Sequence, residues 1–67
     1  MNVEEFLEIA ARKPFDIPIV STFWKQLGID TDDPEVAANI LRSKAKQLGL
    51  KLVIKAEEHT VLISKSD

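Results

Sequence analysis

Apolar positions recur along the chain with two periods, and the change from one to the other falls near Gly49. Val3, Phe6, Leu7 and Ala10 repeat at helical spacing and predict an amphipathic helix from residue 3 to about 12. Asn2 is placed to cap it, with Glu5 three residues on as in a capping box. Glu4, Glu5 and Glu8 favour the positive end of its dipole, Arg12 and Lys13 lie at the other end, and Pro14 stops it. A second helix is expected from Ile17 or Pro18 to Leu27. Asp16 would cap it, Pro18 would sit in the first turn, and Gly28 would supply a left-handed terminus. Its apolar face would be Ile19, Val20, Phe23, Trp24 and Leu27. The β-branched run from Ile17 to Thr22 also reads as a short strand.

Asp33-Pro34-Glu35 combines a cap, a proline at the first helical position and an acid in the first turn. It predicts a third helix from Pro34 to Leu48, ended by Gly49. Val36, Ala37, Ile40, Leu41, Ala45 and Leu48 would be buried, with Glu35, Asn39, Arg42, Ser43 and Lys46 facing out. Beyond Gly49 the period becomes two. Leu50–Lys55 and Thr60–Lys65 predict a hairpin around a loop of about four residues, Ala56 to His59. Leu52, Ile54, Val61 and Ile63 would face the helices; Val53 and Leu62 would face out. Ser66 and Asp67 are expected to fray. The fold class expected is therefore α+β: three helices followed by a C-terminal β-hairpin, forming a single domain over residues 1–67.

Composition narrows the chemistry. The 67 residues contain no cysteine and one histidine, which excludes disulfide scaffolds, Cys-ligated zinc and catalytic histidine pairs. No apolar run approaches the roughly 20 residues a membrane span needs, and no membrane partner is expected. The acidic start, Met1-Asn2-Val3-Glu4-Glu5, predicts no signal or transit peptide, so the default location is cytoplasmic. A chain this short seldom encloses a deep pocket, and no set of residues nominates a reaction, so neither enzyme activity nor a cofactor is expected.

Three helices and a hairpin resemble a minimal winged helix–turn–helix domain, with the second and third helices as the pair and the hairpin as the wing. The resemblance covers nearly the whole chain. The run Arg42-Ser43-Lys44-Ala45-Lys46-Gln47-Leu48-Gly49, followed by a Lys-flanked strand, is also similar to short phage proteins. In the winged-helix family the third helix enters the major groove and the wing touches the DNA backbone. The resemblance thus implies a small transcriptional regulator that binds double-stranded DNA. Asn39, Arg42, Ser43 and Lys46 would lie on the reading helix and Lys51 and Lys55 on the wing strand, with action as a homodimer expected. Two features depart from the pattern. The connection before the third helix is longer than a tight turn, and Asp30, Asp32, Asp33 and Glu35 crowd the helix end that would approach phosphate.

The net charge of −2 conceals an asymmetry: residues 1–35 carry −5 and residues 36–67 carry +3. From 36 to 55 the charged residues are Arg42, Lys44, Lys46, Lys51 and Lys55, with no acid among them. If Arg42, Lys46, Lys51 and Lys55 shared one surface, four phosphate contacts would give a salt slope of roughly −3 to −4. Basic residues late in a helix also favour its dipole, and lysines on edge strands discourage aggregation, so the same pattern arises without a ligand. The competing function is a protein–protein interaction module, whose acidic half would meet a host or regulatory protein without touching nucleic acid.

The other candidates are weaker. Counted from Asp30, the fifth, sixth and twelfth positions of a calcium loop hold Pro34, Glu35 and Leu41, so no metal site is expected. His59 reads as a solvated loop residue beside Glu57 and Glu58. Phe23 is expected near the centre of the second helix's buried face and Trp24 at its margin, where it could also serve a dimer contact.

Overall fold

The structure, a computed structural model, describes residues 1–65. Its elements are α1 (Val3–Ala10), β1 (Ile17–Ile19), α2 (Ser21–Gln26), α3 (Pro34–Gln47), β2 (Leu52–Glu57) and β3 (Thr60–Lys65). It is an α+β fold of three helices and a three-stranded antiparallel sheet, closed by a C-terminal hairpin. The frayed end expected at Ser66 and Asp67 lies outside the described residues.

Local chemistry sets most boundaries. The Asn2 side chain accepts from the Glu5 N–H at 2.8 Å, and the Asp33 side chain accepts from the Glu35 N–H at 2.9 Å. Each satisfies a donor that a helix start leaves free. Pro34 occupies the first turn of α3, where its missing N–H costs nothing. Gly28 and Gly49 take φ of 102° and 71° just after α2 and α3, conformations that would strain a residue with a Cβ. α1 stops at Ala10 rather than residue 12, and Arg12 and Lys13 continue into a turn. α3 ends at Gln47, with Leu48 as its cap residue.

The second predicted helix divides. Ile17–Ile19 is a strand that pairs with Ile63, Leu62 and Val61, and α2 begins only at Ser21. Asp16 is not its cap; Val20 is, and it contributes no side-chain hydrogen bond. Pro18 is tolerated because β1 is an edge strand: the sheet order is β1-β3-β2. Ile19 points into the core, while Val20, expected on a buried helical face, is exposed.

The hairpin is tighter than expected. Glu57 pairs with Thr60, leaving a two-residue turn of Glu58 and His59, with His59 at φ 62°. β2 starts at Leu52, not Leu50. Ile54 opposes Ile63 and Ala56 opposes Val61 on the face covered by helices, whereas Leu52 is only half-buried.

The core joins Phe6, Leu7 and Ala10 of α1, Trp24 of α2 and Leu41 of α3 to Ile19, Ile54, Val61 and Ile63 of the sheet. The inward face of α3 is unusually small: Ala37, Ala38 and Ala45 flank Leu41. Small side chains let the helix backbone approach α1 and the sheet closely, so the larger Val36 and Ile40, predicted inside, are turned out. Trp24 and Phe23 also exchange their expected places. Trp24 is fully buried and donates from Nε1 to the Thr31 carbonyl at 2.7 Å; Phe23 is half-buried and packs edge-on against Phe6. Full burial removes Trp24 from any dimer contact.

Candidate nucleic-acid interface

Among the described residues no charged side chain is buried, so charge-based recognition must take place at the surface. α3 is the longest exposed element, and its neighbours define its outward face. Its inner side packs on β2, β3 and α1. At 3.6 residues per turn, Asn39, Ser43 and Lys46 then fall in one row on the opposite side, and all three are exposed. The two flanks of that row differ. On the β2 flank stands Arg42, and on the α1 flank stand Val36, Ile40, Lys44 and Gln47.

Arg42 is committed to the fold. Its Nε donates to the Ile54 carbonyl at 2.8 Å, and one terminal nitrogen donates to Asn39 Oδ1, also at 2.8 Å. β2 forms the free edge of the sheet opposite β1, so Arg42 occupies an acceptor that another strand could otherwise take. The same contact engages Asn39 Oδ1, and its amide N–H₂ donates to no acceptor among the described residues. The family resemblance implies only that Arg42 lies on a reading helix; the sequence gives no sign that the guanidinium braces helix to hairpin.

The remaining cations do not form one wall. Lys44 lies 3.6 Å from Glu4 of α1 and faces that helix. Lys51 is exposed in the link between α3 and β2. Lys55 is exposed on β2 beside buried Ile54, and strand alternation therefore sends it to the sheet face away from α3. Arg42 and Lys46 thus share a helix with Asn39 and Ser43, whereas Lys55 stands on the reverse side of the hairpin.

Part of the acidic cluster before α3 has structural work. Asp33 caps the helix, and Asp32 pairs with Lys25 of α2. The Thr31 hydroxyl accepts from the Asp33 N–H at 3.1 Å, while the Thr31 carbonyl takes the Trp24 N–H. Residues 27–33 are therefore held to α2 by a ring nitrogen and an ion pair. Asp30 and Glu35 remain exposed, near the start of the outward face.

Sequence reasoning missed Val36 and Ile40. Exposed on the α1 flank, they line a shallow groove of about 340 Å³ with Asn39, Ser43, Lys44 and Gln47. The signal that could have found them is the alanine-rich stripe of α3, because one helix cannot bury both faces against a thin sheet. His59 lies at the hairpin tip with its ring 3.7 Å from Glu58, exposed as expected of a loop residue. No helix among the described residues is long and apolar enough to cross a membrane. No protein-family model, curated protein or solved structure matches the chain.

Proposed function

We propose that this chain is a small winged helix-like DNA-binding regulator that seats the outward face of α3 in the major groove. The observation that carries the reading is the row Asn39–Ser43–Lys46. It stands clear of the sheet, on the last helix before a hairpin, with Arg42 at its side. A helix of this width fits the major groove, and amide, hydroxyl and ammonium groups are the types that contact base edges and phosphate there.

The layout supports the same reading. α2 and α3 form consecutive helices joined by a pinned connection, and the hairpin follows α3 directly. β1 ties the first half of the chain to that hairpin. Asn39, Arg42, Ser43 and Lys46 would meet the duplex first. Lys51 would reach backbone phosphate beside the helix, and Lys55 would do so only where the duplex extends past the free edge of β2. Asp30 and Glu35 hold non-specific affinity down at the start of α3, so phosphate attraction depends on the cations of its middle and end.

The test is an anisotropy titration of the full chain against mixed duplex DNA at low and moderate salt. Binding that weakens with salt, with a shallower slope in Lys46→Ala, is the expected result. No binding above background at either salt would remove the DNA reading and leave the protein-interaction module.

A further inference from the structure

Val36 and Ile40 sit one turn apart on α3, 43% and 38% exposed, at positions where the sequence pattern expects core residues. Their groove is rimmed by Asn39, Ser43, Lys44 and Gln47. Building on the DNA-binding reading, we infer that this pair forms a methyl-reading spot, which selects duplexes presenting a thymine C5-methyl group to α3.

The occupant follows from size and surroundings. A stable protein interface covers roughly 800 Å² on each partner, with a broad apolar centre. Here the apolar surface is two β-branched side chains, bordered at once by an amide, a hydroxyl and an ammonium group. The major-groove edge of thymine has the complementary form: one methyl beside one acceptor, O4. Asn39 suits that acceptor, because Arg42 engages its Oδ1 and its N–H₂ has no acceptor among the described residues. The charge is also complementary. Glu35 lies in the first turn of α3 and Lys44 at the groove rim faces Glu4 of α1, so the cations left to attract a polyanion beside the groove are Lys46 and Arg42.

The groove also accounts for the choice of side chains. On a merely solvated helix face, alanine or a straight-chain residue such as lysine or glutamine would favour the helix more than valine or isoleucine does. Val36 and Ile40 keep stiff rotamers, so they order little further when a methyl group packs on them.

The experiment begins with selection of a randomised duplex pool by the full chain. Each thymine of an enriched duplex is then replaced in turn by deoxyuridine, which removes only the C5-methyl. The expected result is a loss of about fourfold in affinity at one or two positions, the value expected for one buried methyl group. In the Val36→Ala/Ile40→Ala chain the same replacements should change nothing. Both sites are exposed and alanine favours helix, so that variant should keep its far-ultraviolet dichroism. Wild-type protein that binds every uracil duplex as tightly as the parent overturns the methyl-reading spot and leaves DNA binding standing. Failure to enrich any duplex overturns both. Discrimination that persists undiminished in the double variant places methyl recognition elsewhere and overturns this assignment.

Discussion

The Trp24 indole N–H points at the Thr31 carbonyl from 2.7 Å, so the one tryptophan of the chain fixes both the core and the connection into α3. Trp24→Phe removes the hydrogen bond, leaves the Thr31 carbonyl unpartnered and opens a small void. A cost of about 2–3 kcal/mol is expected in chemical denaturation. Amide exchange at residues 31–33 should rise more than the global loss explains, because the substitution also releases the connection locally.

Arg42→Ala should destabilise the fold by about 1–2 kcal/mol, the scale of a part-exposed, charge-assisted bond to a backbone acceptor. Arg42→Lys should recover less than half of that, since an ammonium cannot serve Ile54 and Asn39 with the fixed geometry of a guanidinium. With the edge of β2 uncovered, Arg42→Ala should also self-associate at lower concentration in sedimentation velocity. A variant as stable as the parent, with an unchanged sedimentation profile, would show that Arg42 does not brace the hairpin.

Lys46→Ala and Lys55→Ala separate the two faces. Removing Lys46 from the outward row should reduce the salt slope of DNA binding by about 0.9, while Lys55→Ala should leave it unchanged. Both should alter stability by less than about 0.5 kcal/mol, as exposed positions with no ion pair among the described residues. Equal slope changes in the two variants would mean that the duplex wraps the hairpin.

His59→Gly should stabilise the protein by about 0.5–1 kcal/mol in thermal or urea unfolding. The residue holds φ 62° at the hairpin turn, where a Cβ is a burden that glycine lacks. His59→Val at the same position should destabilise by at least as much, because a β-branched side chain tolerates the left-handed region poorly.

The elements legible in the sequence are those specified by neighbours in the chain. Asn2 before α1, Asp33-Pro34 before α3 and glycines 28 and 49 act within one turn of the boundary they set, so single residues announce them. β1 depends on partners more than forty positions away: its three residues are a strand because Val61, Leu62 and Ile63 are there to pair with them. The inward face of α3 illustrates a different failure. Hydrophobicity alone favours Val36 and Ile40 for the core, yet close packing selects Ala37, Ala38 and Ala45 by size. Most of the residues proposed to meet DNA share α3, as their helical spacing implies. The separation of Lys55 from them and the commitment of Arg42 to Ile54 depend on how sheet and helix meet, which no local pattern encodes.

β3 lies between β1 and β2, flanked by a strand from each half of the chain. On a translating ribosome, the helices and β1 would emerge long before the strand that must slot between its two neighbours. Until residues 60–65 clear the exit tunnel, Ile17 and Ile19 have no ladder to join and Ile54 has no cross-strand partner. The sheet therefore cannot close before β3 is available, and a chain cut before Thr60 would be a substrate for chaperones and proteases.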